Sequence, residues 1–445
     1  MKQAIYTSAR KLFSVAVSLL GSLALIQSSA EEPWTLHKAL EVARANNPEA
    51  RLAQLRIKSA AALLIQANAA FWPKLQMESS YSRMDNPLRV FGAALNQHAV
   101  SPDLDFNEVP QGDNLNVAGV VSMPLYNGGR SVAERRAALA RKNAAAHLAT
   151  AVRQDVDFEV TRAFLTVLKA RALVRAALAA SEAFETNSAI AQRRFEAGTL
   201  LKTETLDVKV RLAEAQENLF RARNGEALAR RALQTLAGLE TGSIDISESA
   251  PELAPPAQRD FSARPELAQA FAEKNAAQSD LEKARGGYRP RVSAFARGDY
   301  DRGWEFNGSG TSWTAGVVLQ WDLWDGFLSR GRVDQAEAEA KAAAERERKT
   351  RLDLALESDQ ARLKFAEAAE RIRVTRQAVD FAAESASLTR VRFEQGLALS
   401  TQLIDSETAL LSARVRQAEA EADAKIAIAA LRKAAGLPIV EMTKQ

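Results

Sequence analysis

Two long stretches of this 445-residue chain, 125–250 and 291–437, contain no proline. Glycine is nearly as scarce there. Between Arg130 and Ala237 it occurs only as Gly198 and Gly225, and between Arg332 and Ala435 only as Gly396. Proline and glycine are the residues that most strongly interrupt helices. Both stretches are instead rich in Ala, Arg, Glu, Leu and Gln, which favour them. Small and apolar residues recur at steps of three and four. Examples are Val160, Ala163, Val167, Ala170, Val174 and Ala177, and then Leu354, Ser358, Ala361, Phe365, Ala368, Ile372, Thr375, Val379, Ala382 and Ala386. Such seams require a partner helix. A helix over 130–197 would span about 100 Å at 1.5 Å per residue, an element built to cover distance. Each stretch thus predicts a long helical hairpin turning at one glycine, Gly198 or Gly396.

The two hairpins read as copies of one unit. Arg194-Phe195-Glu196-Ala197-Gly198 recurs 198 residues later as Arg392-Phe393-Glu394-Gln395-Gly396. At the same offset Leu206-Asp207 meets Ile404-Asp405, and Ala237-Gly238-Leu239 meets Ala435-Gly436-Leu437. Upstream, Pro48-Glu49 meets Pro265-Glu266 and Pro73 meets Pro290, now 217 apart. The first copy therefore carries extra sequence, placed at 84–114 and expected to lengthen a loop. The predicted layout is a first repeat over 31–239, a linker over 240–262, a second repeat over 263–438 and a tail over 439–445. Each repeat reads helix, strand, loop, strand, long helix, turn, helix.

The strands follow from period-two alternation. Leu75, Met77 and Tyr81 alternate with Gln76, Glu78 and Ser80. Leu115, Val117, Val121, Met123 and Leu125 share a face opposite Asn116 and Ser122; Trp313, Ala315, Val317, Leu319, Trp321 and Leu323 share one opposite Thr314, Gln320 and Asp322. The segment 291–300 alternates poorly, because Phe295 falls opposite Val292 and Ala294. All six tryptophans lie near strands or helix entries. They suit either the aromatic girdle of a membrane barrel or core anchors between sheet and helices.

Residues 1–30 carry Lys2, Arg10 and Lys11, then an uncharged run from Leu12 to Ile26, then Ser28-Ser29-Ala30. This is the pattern of a secretory signal peptide; an uncleaved anchor helix would need about 20 apolar residues. Without those three charges the formal +4 falls to +1, which excludes a strongly basic nucleic-acid surface. With no cysteine, the chain can form neither a disulfide nor a lipid anchor on an N-terminal cysteine. The three histidines are scattered, and no His-Glu-x-x-His, Walker or Gly-x-Ser-x-Gly pattern occurs. Asp299, Asp301 and Gly303 loosely resemble a calcium loop, but Gly310 stands where the bidentate glutamate belongs. No enzyme, metal or cofactor is expected.

Four amphipathic strands cannot close on themselves, and an open sheet edge in lipid leaves each unpaired N–H or C=O several kcal/mol too high. Membrane-spanning strands would therefore be pooled by several chains into a tube. The competing reading is a soluble periplasmic coiled-coil scaffold with a small packed sheet.

The chain resembles the TolC-like outer-membrane efflux proteins from about Trp34 to Pro438. The resemblance is carried by Trp34-Thr35-Leu36, Ala39-Leu40 and Asn46-Asn47-Pro48. It continues in Met123-Pro124-Leu125-Tyr126-Asn127-Gly128-Gly129, echoed by Trp321-Asp322-Leu323-Trp324-Asp325-Gly326, and in the twin Arg-Phe-x-x-Gly tips. It implies a mostly α protein with a two-fold repeat. It also implies a homotrimer whose 12-stranded β-barrel, four strands per chain, lies in outer-membrane lipid and continues into a periplasmic α-helical tunnel. The tunnel would be the passive exit duct of a tripartite efflux or type I secretion system, docked on a periplasmic adaptor of an inner-membrane RND or ABC pump. Drug, metal and protein cargo all stay open.

On this resemblance Gly198, Thr199, Leu200, Gly396, Leu397 and Ala398 form the adaptor-docking tips; read alone, they close two hairpins. Asp207 and Asp405, with Glu204, would gather from three chains into a cation-attracting constriction; alone, they are solvated acids early in a helix. Arg194 and Arg392 could pair with nearby acids and latch the mouth, or be solvated surface.

Overall fold

The computed structural model describes residues 33–102, 105, 108, 110–242, 244–247, 252–256 and 260–440. The signal peptide expected at 1–30, parts of the 240–262 linker and residues 441–445 of the tail lie outside them. In chain order the elements are α1 (Leu36–Asn46), α2 (Pro48–Ala69), β1 (Lys74–Met84), α3 (Pro87–Asn96), β2 (Gly112–Tyr126), α4 (Arg130–Glu196) and α5 (Lys202–Leu236). Then follow α6 (Pro265–Arg285), a 3-10 turn (Gly286–Tyr288), β3 (Arg291–Gly303), β4 (Gly308–Gln320), α7 (Leu328–Glu394) and α8 (Ser400–Ala434).

The hairpins form as their composition demands. α4 and α7 each run 67 residues and α5 and α8 each run 35, so the long helices reach about 100 Å. Gly198 and Gly396 end α4 and α7 at φ +74° and +80°, a left-handed conformation that is cheap only for glycine. At the chain's start, Asn47 interrupts the helix. Its Oδ1 accepts from the Glu49 and Ala50 N–H groups at 2.8 and 3.2 Å, and its Nδ2 donates to the Leu236 carbonyl at 2.9 Å. The first half of the chain therefore opens with two helices rather than the single one expected, because a capping Asn followed by Pro48 starts a new helix.

The strands form one antiparallel sheet in the order β1-β2-β3-β4. The register pairs Leu75 with Val121, Met123 with Ala294, and Ala294 with Val317. One face thus carries Leu75, Met77, Tyr81, Leu115, Val121, Trp313, Val317 and Leu319, while the other carries Gln76, Glu78, Asn114, Asn116, Arg297, Asp299 and Thr314. Arg291–Gly303 is a full strand of 13 residues despite its poor alternation. Phe295 sits on the polar face because its cross-strand neighbour is Gly316, which leaves room for the ring. The segment 84–114 is not merely a loop: it contains α3, capped by Asn86 and started by Pro87.

The helices continue the sheet. Each strand joins one helix: α2 runs into β1, β2 into α4, α6 into β3 and β4 into α7. Near the sheet the helices pack side by side in the same order, α2-α4-α6-α7; further away the order is α5-α4-α8-α7. Midway, an apolar cluster of Trp34, Leu40, Val160, Phe164, Leu233 and Ile246 joins α1, α4, α5 and the segment after α5. Trp34 is thus a core anchor, bridged to Ile246. Ion pairs reinforce this level. Arg264, 2% exposed, holds Glu266 at 2.6 Å and Glu357 at 3.2 Å, and Arg44 forks onto Asp157 at 2.7 Å. Burial pushes the Glu266 carboxyl up, but the Arg264 hydrogen bond, a backbone hydrogen bond and the nearby Arg264 and Lys433 charges together outweigh it and hold it below its ordinary value.

Candidate functional site

The architecture leaves one set of surfaces without partners. β1 and β4 are the sheet's two edges, each exposing a row of backbone N–H and C=O groups. The helical wall is open on the same two sides. α4, in its middle, buries 22 residues, whereas the equally long α7 buries eight, at spacings of seven: Ser329, Ala336 and Ala343, then Leu354, Ala361 and Ala368, then Ala386 and Phe393. That is one seam, facing α6 and α8. On another flank of α7, Leu352, Leu356, Leu363, Val374, Phe381 and Leu388 are exposed; at 100° per residue they lie within about 40° of one another. The opposite edge helix, α5, exposes Leu206, Val210, Phe220 and Leu228. Apolar stripes of this length on a protomer mark association surfaces. The sequence seam identified in α7 is the inner one; the outer stripe was missed, although the sequence spells it.

Aromatic side chains gather at two levels of the sheet. Trp72, Trp321 and Trp324 are exposed at the end next to the long helices, while Tyr81 and Trp304 stack edge-to-face at 6.0 Å at the other end. Five of the six tryptophans are exposed rather than core anchors.

At the far end of the hairpins the two turns lie side by side. In each, the glycine N–H returns to the phenylalanine carbonyl (Gly198 to Phe195, 2.9 Å; Gly396 to Phe393, 3.0 Å). The next residue's N–H returns to the arginine carbonyl (Thr199 to Arg194, 2.8 Å; Leu397 to Arg392, 2.7 Å). This is the doubled bond pattern of a glycine-closed helix end. Below the turns Phe184, Ile190, Val208, Phe393, Leu403 and Ile404 form a buried cluster, against which Leu200 and Ala398 pack. Gly198, Thr199, Gly396 and Leu397 are exposed. The six residues expected at the tips thus divide into an exposed crest and two inward anchors.

Asp207 and Asp405 are both exposed on the second turns of α5 and α8. Glu204 is differently placed: its carboxylate accepts from the Leu201 N–H at 3.2 Å and the Ser400 hydroxyl at 3.4 Å, capping α5 and touching the second hairpin. Among the described residues Arg194 pairs with no acid. It donates to the Phe393 carbonyl at 2.8 Å and the Thr199 carbonyl at 3.2 Å, with its guanidinium 4.9 Å over the Phe393 ring. Among the described residues Arg392 reaches only the Leu397 carbonyl of its own turn, at 3.5 Å. The buried acid of the tip is Glu407, which sequence reasoning missed. It accepts from Arg390 at 2.5 and 3.0 Å and from Asn187 at 3.3 Å, linking α8 and α7 to α4.

Residues 39–239 and 259–437 match the family described as outer membrane efflux protein. Protein CyaE of Bordetella pertussis is 27% identical over 417 residues, covering 90% of this chain and 84% of that protein. Among solved structures, the transmembrane channel CusC superposes with a TM-score of 0.80 at 16% identity, over 90% of this chain and 92% of that one. The outer membrane protein VceC of Vibrio cholerae does so with a TM-score of 0.77 at 19% identity, over 91% and 97%. The mostly helical chain with its four-stranded antiparallel sheet has the fold of these channels. With matching sequence along nearly its whole length, the chain belongs to the outer membrane efflux protein family.

Proposed function

We propose that three copies of this chain close into one tube, a 12-stranded β-barrel in the outer membrane continuous with a periplasmic helical tunnel. The observation that carries this is the shared opening of sheet and wall. β4 and α7 bound one side of the protomer, β1 with α2 and α5 the other, and both sides bear what a neighbour would satisfy: unpaired strand edges and apolar stripes. The two-level aromatic distribution and the apolar outer face of the sheet support a lipid-facing barrel. The matching helix lengths and tip motifs support descent from a duplicated unit, with 240–262 as its linker.

The tube would be the passive exit duct of a tripartite efflux or secretion system, powered elsewhere. The exposed crest of Gly198, Thr199, Gly396 and Leu397, supported from below by Leu200 and Ala398, is the proposed docking point for a periplasmic adaptor and, through it, an RND or ABC pump. Asp207 and Asp405 from three chains would line the inner mouth with six carboxylates. Glu204 and Arg194 would brace the tip from within, and Arg392 closes its own turn. Native mass spectrometry of the detergent-extracted protein, with electron microscopy, tests the assembly. Trimers with a central lumen are expected; monomers with self-contained sheets and no lumen would overturn it.

A further inference from the structure

α3 has no counterpart beside β3 and β4, which are joined by a short turn. It lies at the end of the sheet remote from the hairpins, against the polar face. Val90, Ala94 and Gln97 are completely buried, and the sheet makes room for them with glycines. A Cβ on Gly112 would stand 2.9 Å from Val90 Cγ1, one on Gly303 2.1 Å from Gln97 Oε1, and one on Gly310 2.0 Å from the Asn96 carbonyl oxygen. Gln97 Nε2 donates to the Asp113 carbonyl at 2.8 Å and to Asn114 Oδ1 at 2.9 Å. This helix is built into the sheet. Its opposite flank is apolar yet open: Leu88 is 80% and Leu95 49% exposed. Seven residues apart, they stand two turns apart on one side.

In a barrel the polar face is the inner one, so α3 points into the lumen. We infer that in the assembled trimer the three copies of α3 meet around the three-fold axis through Leu88 and Leu95. They form a hydrophobic constriction at the outer end of the channel, distinct from the acidic inner mouth. The occupant of each exposed flank is therefore α3 of the other copies. This rests on the trimeric assembly proposed above, and the dimensions fit. Twelve strands about 4.8 Å apart, tilted by about 40°, give a barrel radius of about 12 Å. A helix seated on glycines approaches its sheet to about 7–8 Å, closer than the roughly 10 Å between ordinary face-packed layers. That leaves the three helix axes about 8 Å from one another, the near limit for packed helices. Narrow apolar rings of this kind gate by expelling water. Passage would then require α3 to be displaced at the outer end as well as the tips to open at the inner end.

The absence of native cysteine makes the test direct. Leu88→Cys and Leu95→Cys, each made separately in the full chain, are treated in detergent-solubilised or reconstituted protein with a short bis-maleimide. Met77→Cys, on the opposite face, is the control. Cross-linked dimers on denaturing gels are expected from the first two and not from the third. In planar bilayers Leu88→Asp is expected to raise single-channel conductance roughly two-fold by wetting the ring. Trimers by native mass that fail to cross-link at either position would overturn the constriction and leave the channel standing. Absence of trimers would instead overturn the assembly on which it rests.

Discussion

The two hairpins share helix lengths and tip sequence, yet their tips are fastened differently. At one level of the first, Lys209 donates to Gln192 across the hairpin at 3.0 Å, in the open. The corresponding residues of the second, 198 positions on, are Glu407 and Arg390, and there the contact is buried: Glu407 is 4% exposed, Arg390 is 38% exposed at its side chain, and Asn187 of α4 completes the cluster. A solvated rung can break and re-form freely, whereas a buried charge separated from its partner is strongly disfavoured. The second hairpin is thus pinned to the first, while the first holds itself loosely. If the tips move to open the channel, this buried cluster is one of the contacts between the hairpins that resists the movement.

The largest expected effect tests what the tips have in common. Gly198→Val with Gly396→Val forces a β-branched residue into positive φ at both turns, about 1–2 kcal/mol each, and blunts both crests. Transport in a deletion strain should fall to background while native mass still reports trimers. Normal transport would remove the docking role. The next effect separates the hairpins. Glu407→Ala should destabilise by about 3 kcal/mol, the low end for a broken buried pair because Arg390 can still reach water. Lys209→Ala should change stability by less than about 0.5 kcal/mol. Denaturant melts followed by circular dichroism would measure both, and equal values would break the comparison.

Smaller effects follow from charged groups elsewhere along the hairpins. Asp207→Asn with Asp405→Asn should lower cation-over-anion permeability in planar bilayers roughly three-fold; an unchanged ratio would reject the acidic ring. At the other end of the hairpins, burial raises the Glu226 carboxyl but Arg230 and Arg171 outweigh it, leaving it below its ordinary value of 4.5. A lowered carboxyl contributes stability that is present above that value and lost as pH falls below it. The melting temperature of Glu226→Gln should therefore decline less than that of the unaltered chain between neutral pH and pH about 3. Parallel declines would show that this pair contributes nothing at the midpoint of the wall.

What the sequence made legible were features written in local chemistry. The absence of proline announces α4 and α7, and the repeated Arg-Phe-x-x-Gly announces the turns, because a glycine at positive φ is a property of a few consecutive residues. Features made by distant residues were hidden. Phe295 disguised β3, since only the pairing with Gly316 reveals why a large ring fits the polar face. α3 had its own signals in Asn86 and Pro87, but its seat is three glycines from β2, β3 and β4. Glu407 reads as an ordinary helix-surface acid until Asn187, 220 residues earlier, is brought beside it.

The finest distinction lies in the arginine pair, both of which open an Arg-Phe-Glu-x-Gly turn. Arg194 spans the hairpins through the Phe393 carbonyl and ring and also holds the Thr199 carbonyl of its own turn, while among the described residues Arg392 touches only its own turn. Arg194→Lys keeps the charge but loses the fork and the stacking plane. The loss should be about 1.4 kcal/mol, which is about ten-fold in an opening equilibrium. Amide hydrogen exchange across 393–399 should accelerate by that factor in Arg194→Lys and stay nearly unchanged in Arg392→Lys. A lysine at 194 that preserves protection would mean the two tips are held together by the apolar cluster beneath them and the Glu204 and Glu407 contacts, without help from Arg194. The asymmetry of the hairpins would then reduce to the single buried acid at 407.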